Sequence, residues 1–372
     1  MVANSEQLSQ QLYIVRRNSG FGGAERVAER LAQNFSDQFE VHRLWAGNRF
    51  NGRVIPGRSG PPWWRSWWYT QHINQLPIYH QNSVVYSLEY GPNCDIYRAG
   101  DGVHRLNVLR RYGSNITWMV NPWHWLAPKL ERNSFESARY IIANSNLVRS
   151  HIVQTYPHVQ DKIVTIYNGF DETVFKLSSI DKAELRRWLG LPITADKILL
   201  LSGSGFERKG LHHAVDIVTK LHRQGCRAYL VVVGKGDSRY VNKAIEAGGL
   251  KDYILFKGLV DDVAQYYQAA DLMVLLTRYD PFSNSCLEAL ACGCPVITTR
   301  NNGAIEVMKP YSGLVVNDVA EEDAIELCAD YILQQTFQAE QIASSVSHLT
   351  SDQEKNAHLE VINRVFEEKK YE

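Results

Sequence analysis

The chain has 372 residues, 45% of them hydrophobic, which suits about two domains with substantial cores. Lysine plus arginine and aspartate plus glutamate both total 40, so the zero formal charge excludes a bulk attraction to nucleic acid or to an acidic membrane; any such attraction must be local. No run approaches the roughly 18 apolar residues of a membrane span and no signal-peptide pattern opens the chain, so the expected setting is cytoplasmic, with any membrane role peripheral.

In chain order, short apolar or β-branched runs at 12–15, 83–88, 140–143 and 163–166, with helical stretches among them, predict an α/β first half. Residues 171–195 carry no strand pattern and end in Gly190-Leu191-Pro192, which suits a linker and a short helix, so the boundary is placed near Phe170. Runs at 198–201, 229–233, 254–256, 272–276, 296–298 and 314–316 then alternate with amphipathic or capped segments, the pattern of a parallel, doubly wound sheet. After Ala320 the chain reads as helical, and 351–371 sets Leu359, Val361, Ile362, Val365 and Phe366 among many charges, as a surface helix does. The predicted domains are 1–170 and 171–350, with 351–372 a surface helix of one of them.

The six cysteines, Cys94, Cys226, Cys286, Cys292, Cys294 and Cys328, include a Cys292-Gly293-Cys294 pair in an apolar context. With no second pair at zinc-finger spacing, buried structural thiols are expected, and no metal site. Pro61 to Tyr69 reads Pro-Pro-Trp-Trp-Arg-Ser-Trp-Trp-Tyr, the one compositional anomaly.

Two glycine loops follow strands and open helices. The first, Asn18-Ser19-Gly20-Phe21-Gly22-Gly23-Ala24-Glu25-Arg26, lets backbone approach a ligand closely and presents a helix N-terminus to anionic oxygens, or is simply a tight turn. The second, Ser202-Gly203-Ser204-Gly205-Phe206-Glu207-Arg208-Lys209-Gly210, satisfies neither the phosphate-loop nor the dinucleotide fingerprint. Adjacent cations at a helix start suggest recognition of a diphosphate, against the alternative of a solvated charged turn.

Asp280 and Glu288 frame Tyr279-Asp280-Pro281-Phe282-Ser283-Asn284-Ser285-Cys286-Leu287-Glu288 directly after a strand. With a helix beginning near Ser283, Asp280 lies in the loop before it and Glu288 sits inside the helix, about two turns later than Asp280. The N–H groups of Ser283, Asn284 and Ser285 would lie between the acids, one carboxylate taking a sugar hydroxyl and the other the ribose; the alternative is a capping Asp and an exposed Glu. A third acid, Asp101 in Gly100-Asp101-Gly102, either projects from a tight turn as a functional carboxylate or forms an Asx-turn.

Together, Gly22-Gly23-Ala24-Glu25-Arg26, Asn168-Gly169-Phe170-Asp171, Arg208-Lys209-Gly210 and the Asp280 to Glu288 segment resemble glycosyltransferase family 4 over nearly the whole chain. Within it the chain is most similar to the lipopolysaccharide core glucosyltransferase I branch, on Gly203 to Gly210 and Asp101. The resemblance implies a GT-B fold, α/β with two Rossmann-like domains facing a cleft and a last helix crossing back, and a retaining transfer without metal or cofactor. It implies that Arg208 and Lys209 neutralise the departing diphosphate, Asp280 holds donor sugar hydroxyls, Glu288 holds the ribose, and Gly22 and Gly23 admit phosphate and sugar. Gly203, Phe282, Ser283, Asn284 and Ser285 would complete the donor site, and Asp101 would act on the acceptor as an orienting charge or a base. The family usually has Glu where this chain has Asp280, and many members have His where this chain has Asp101.

Between Arg98 and Arg132, six basic residues (Arg98, Arg105, Arg110, Arg111, Lys129, Arg132) face two acids, with Trp118, Trp123 and Trp125 interleaved. That pattern suits a phosphorylated glycan or glycolipid acceptor and an anionic membrane surface; core tryptophans and solvated arginines are the alternative. The predicted donor is UDP-glucose, with GDP-mannose or UDP-N-acetylglucosamine as alternatives within the family, and a catalytically silent nucleotide-sugar binding protein as the reading from another class.

Overall fold

The structure is a computed structural model that describes residues 10–18, 23–57, 59–112, 116–317, 319, 321 and 323–372; of residues 23–26, 109–112 and 116–117 it describes the backbone alone. The chain divides into two compact units, residues 1–167 with 354–372, and residues 168–353.

The first unit contains β1 (Gln11–Arg16), α1 (Gly23–Phe35), β2 (Glu40–Trp45), a hairpin of β3 (Arg49–Phe50) and β4 (Arg53–Val54), α2 (Pro62–Asn74), β5 (Ser83–Ser87), β6 (Ile96–Arg98), α3 (His104–Tyr112), α4 (Trp123–Ser137), β7 (Tyr140–Ala143), α5 (Asn146–Thr155) and β8 (Ile163–Thr165). Six strands form a parallel sheet in the order β2-β1-β5-β6-β7-β8. Alternate side chains leave opposite faces of a strand, and here both faces are covered. Tyr13, Val15, Val85, Tyr97 and Ile141 pack with Tyr69 and Ile73 of α2, Phe135 of α4 and Ile152 of α5. Leu12, Ile14, Val84, Tyr86 and Ile142 pack with Val27, Leu31 and Phe35 of α1 and with Val361, Ile362, Val365 and Phe366 of the final helix, Ser351–Lys369. Each such side chain contributes roughly 1.5–3 kcal/mol on burial, so the last helix is an integral layer of this unit.

The second unit contains α6 (Lys182–Trp188), β9 (Lys197–Ser202), α7 (Leu211–Arg223), β10 (Ala228–Val233), α8 (Asn242–Ala247), β11 (Ile254–Gly258), α9 (Val263–Ala269), β12 (Leu272–Leu275), α10 (Asn284–Ala291), β13 (Val296–Thr299), β14 (Gly313–Val316), α11 (Ala324–Gln334) and α12 (Ala339–Ser345). Its parallel sheet runs β11-β10-β9-β12-β13-β14. In both sheets the order reverses beside the first strand, at β1/β5 and at β9/β12, and such switch points leave a crevice at the carboxyl ends of the strands.

Two features differ from the sequence reading. β2 is an edge strand whose Glu40, His42 and Arg43 break up any apolar run, so no periodicity marked it. The β3–β4 hairpin turns on Asn51 and Gly52 at φ 47° and 76°, the left-handed pair that an Asn-Gly hairpin requires. No described helix is long and apolar enough to cross a membrane.

Candidate functional site

In the second unit, two strand-to-helix turns meet at the β9/β12 switch point. After β9 the chain passes through Gly203, whose N–H donates to Val233 O at 3.0 Å, and Gly205, whose N–H donates to Lys235 O at 2.9 Å. It enters α7 through Gly210 at φ +80°, where a Cβ would stand 2.3 Å from Leu276 O. Only glycine admits that approach, so the β9 turn lies directly on the end of β12. The Arg208 carbonyl accepts from the Arg278 N–H and from the buried Thr277 hydroxyl, at 3.1 and 3.0 Å, which fixes the turn carrying both cations.

Those cations converge on Asp280. Lys209 Nζ donates to Asp280 Oδ2 at 2.5 Å, and Arg208 Nη1 lies 3.4 Å from the same oxygen and donates to Tyr279 O at 3.1 Å. Lys209 and Asp280 are buried, while the Arg208 side chain is half exposed. Burial would raise the Asp280 pKa, but the charges of Lys209 and Arg208, with their hydrogen bonds, hold it below the ordinary carboxylate value. Gly203 sits under this pair, where a Cβ would stand 3.3 Å from Lys209 Cε. A buried Asp280 paired with two cations is neither a capping Asp nor a solvated turn.

Helix α10 begins at Asn284 with Ser283 as its N-cap residue. The Ser283 N–H is not open to a ligand as expected, because it donates to Oδ1 of the buried Asn302 at 3.2 Å. Among the described residues the N–H groups of Asn284 and Ser285 have no acceptor, as the first donors of a helix do. Ser283 Oγ and Ser285 Oγ lie 2.9 Å apart, Asn284 Oδ1 accepts from Asn168 Nδ2 at 2.6 Å, and Phe282 is buried beneath the turn. About one turn along, Glu288 Oε2 accepts from Tyr267 OH at 3.1 Å, and the same hydroxyl lies 3.0 Å from Ser202 Oγ. Asn302 and Tyr267, absent from the sequence reading, therefore hold the α10 turn and aim Glu288.

In the first unit, Asp101 follows β6 in a turn closed by the Gly102 N–H donating to Ala99 O, with Gly102 at φ +73°. Its side chain is 65% exposed, and Oδ2 lies 3.8 Å from Nη1 of the buried Arg16, which also donates to Leu88 O at 2.8 Å. Arg16 was not singled out by sequence, and it supplies the positive charge facing Asp101. Gly23 is the first residue of α1; Gly22 lies outside the described residues.

Of the expected acceptor or membrane residues, Arg105 is exposed and Trp125 is 58% exposed, while the side chains of Arg110 and Arg111 lie outside the described ones. Trp118 stands edge-on to His124 and Trp123 stacks on Tyr90, so both are half-buried in an aromatic cluster with His104. Arg98 is a correction. It ends a strand buried between β5 and β7, is 5% exposed, and faces Glu354 of the final helix at 3.9 Å, so it is an interior charge and not a surface contact. Beneath the cluster, the fully buried Glu131 accepts from the His104 N–H at 2.8 Å and from Tyr156 OH at 2.9 Å. Burial pushes the Glu131 carboxyl up to about 7 despite those bonds, and burial followed by the neighbouring His124 lowers His104 to about 4.

All six cysteines are buried and unpaired.

Comparison with known proteins agrees with this architecture. Residues 21–174 match the family model described as Glycosyltransferase Family 4, and residues 187–360 match that described as Glycosyl transferases group 1. The chain is 29% identical over 182 residues to an uncharacterized glycosyltransferase of Methanocaldococcus jannaschii, covering 48% of this chain and 46% of that protein. It spans about half the length, or less, of most of the curated relatives it matches. Among solved structures, WaaG, a glycosyltransferase involved in lipopolysaccharide biosynthesis, has a TM-score of 0.74 at 20% identity, covering 92% of this chain and 95% of that one. Anabaena HepE, in complex with UDP and glucose, has a TM-score of 0.68 at 17% identity, covering 95% and 100%. With two family models in tandem on two parallel-sheet units, the chain belongs to the family 4 glycosyltransferases of the GT-B fold.

Proposed function

We propose that the protein is a retaining, metal-independent hexosyltransferase that moves a hexose, glucose from UDP-glucose in the favoured case, onto a glycan or lipopolysaccharide core acceptor. The observation that carries this reading is the convergence of Arg208, Lys209 and Asp280 at the β9/β12 switch point, the position at which parallel sheets of this kind bind ligands. Two side-chain cations and a helix N-terminus suit a diphosphate, with Asn284 and Ser285 offering N–H groups to its oxygens. As the bond from the sugar C1 to the diphosphate oxygen breaks, negative charge grows on the leaving group, and Arg208 and Lys209 stabilise it there. The acceptor oxygen bonds to C1 on the same face, and its proton passes to the leaving diphosphate. Asp280 then serves the donor sugar and Glu288 the ribose, while Asp101, held by Arg16, orients the acceptor. The Anabaena protein is also seen in complex with UDP-glucose, and we adopt a UDP-sugar as the class of donor here. On the acceptor side, Arg105, Trp125 and Lys129 suit a phosphorylated glycan or glycolipid, presented at the cytoplasmic face of a membrane.

The test is transfer and hydrolysis from a panel of UDP-, GDP- and ADP-sugars in EDTA, alongside thermal-shift binding of each nucleotide. Stabilisation by UDP and turnover of UDP-glucose are expected. Turnover of GDP-mannose or UDP-N-acetylglucosamine instead would reassign the donor, loss of turnover in EDTA would overturn metal independence, and no binding to any nucleotide would overturn the site.

A further inference from the structure

Helix α2 is not amphipathic, because it carries large aromatic side chains on two faces. One face buries Ser66, Tyr69, Thr70 and Ile73 against the unit. The other places Trp64 and Trp68 one turn apart, 43% and 48% exposed, with Trp67 beside them. The three indoles pack on one another: Trp64 and Trp67 centroids are 5.4 Å apart, Trp67 and Trp68 5.6 Å, and Trp64 and Trp68 6.0 Å with planes within 4°. They form a slab braced by its own stacking, and large exposed aromatic surface of this kind marks an interaction site.

The surroundings of the slab state what it fits. From residue 41 to residue 88 the chain has five arginines, Arg43, Arg49, Arg53, Arg58 and Arg65, and neither an aspartate nor a glutamate. Arg43 is engaged with Glu29 at 3.1 Å, and Arg58 lies outside the described residues. Arg49 and Arg53 are exposed on the β3–β4 hairpin, which also presents Val54 at 54% exposure. Arg53 lies close enough to His72, which follows Trp64 and Trp68 on the same stripe of α2, for its charge to add to burial in lowering the His72 pKa. A glycan platform would set carboxylates beside the rings to accept sugar hydroxyls, and this stretch has none. Stacked indoles on a stretch whose charged side chains are all cations match the headgroup layer of a bilayer, where rings sit among headgroups and arginine meets phosphate.

We infer that the α2 tryptophan slab, together with Arg49 and Arg53 of the β3–β4 hairpin that precedes it in the chain, docks on an anionic lipid bilayer. The inference deepens the membrane part of the proposed function and rests on it to that extent, but it names residues other than Arg105, Trp125 and Lys129 and is independent of the donor.

The test is co-sedimentation of the full chain with phosphatidylcholine vesicles and with vesicles containing phosphatidylglycerol. Binding is expected only to the anionic vesicles and weaker in high salt. Each arginine near such a surface changes partitioning about fivefold, so the double variant R49Q/R53Q is expected to bind about 25-fold more weakly. W64S/W68S is expected to lose at least about tenfold. Both variants are expected to hydrolyse donor in solution as the unaltered protein does, which reports an intact fold. Equal or negligible binding to both vesicle types overturns the inference. So does a loss produced by W125S/K129Q but not by the α2 variants, which would move the contact to α4. Retention on an insoluble glycan, competed by soluble glycan but not by anionic vesicles, would make the slab a sugar platform and likewise overturn it. Failure of the unaltered protein to turn over any donor would count against the proposed function and leave this result standing.

Discussion

Lys209 Nζ lies 2.5 Å from Asp280 Oδ2 with both groups buried, while Arg208 reaches the same oxygen at 3.4 Å from a side chain that is 50% exposed. The two cations therefore differ in what their loss does. Lys209→Ala strands a buried carboxylate and is expected to destabilise the protein by about 3 kcal/mol. Arg208→Ala removes a solvent-screened partner and is expected to cost under about 1 kcal/mol, yet to lower turnover about 10- to 100-fold through loss of a charge-assisted bond to the leaving group. Thermal unfolding and donor turnover of both variants check this. An Arg208→Ala enzyme with unchanged turnover would remove that residue from the site.

Glu288 owes its aim to Tyr267, whose hydroxyl bridges to Ser202. If Glu288 holds the ribose in ground state and transition state alike, Glu288→Gln is expected to raise the donor KM about tenfold with kcat within about twofold. Tyr267→Phe is expected to move KM in the same direction by less. Steady-state kinetics over a range of donor concentrations decide it, and a fall in kcat at constant KM would argue against a ribose role.

How much of this was legible in the sequence depended on separation along the chain. Each run of the second half, such as 198–201 and 229–233, recurs as a strand of the parallel sheet, because strands buried on both faces carry continuous apolar runs. The turn chemistry of Arg208-Lys209-Gly210 and the start of α10 near Ser283 were local and readable. The bonds that position the site were not. Asn302 reaches Ser283 across 19 residues, Tyr267 reaches Glu288 across 21, and Arg16 meets Asp101 from another strand. Arg98 misled because charge suggested a surface, whereas its strand lies inside the sheet and Glu354 answers it from the far end of the chain.

Glu131 makes a pH prediction with a definite sign. Its carboxyl is raised from an ordinary 4.5 to about 7 by burial, so the folded protein holds this proton more tightly than the unfolded chain. The contribution is fully present below pH about 4.5, is lost as pH rises through about 7, and amounts to roughly 3 kcal/mol. His104, lowered to about 4, acts oppositely: its contribution is present above about 6.5 and is lost as pH falls. The two partly cancel, so the test is a difference. Glu131→Gln, which stays neutral, is expected to gain stability relative to the unaltered protein between pH 4.5 and 8. Parallel curves of Tm against pH would show that Glu131 does not change its protonation there.

Gly234 ends β10 at φ +123°, and a Cβ there would stand 2.0 Å from Gly203 O, against backbone that cannot move without parting the β9 and β10 turns. Gly225 has an equally left-handed φ of +81° with nothing within 4 Å. Comparing alanine at each separates conformational strain from steric approach. Gly225→Ala carries only the strain and is expected to cost about 1 kcal/mol, leaving activity intact. Gly234→Ala carries both, so it is expected to cost about 3 kcal/mol and to displace Gly203, over which Lys209 lies. Nucleotide affinity should therefore fall with stability in the second variant alone. Equal Tm values for the two variants would show that the β9 and β10 turns are not in the close contact on which the placement of Lys209 depends.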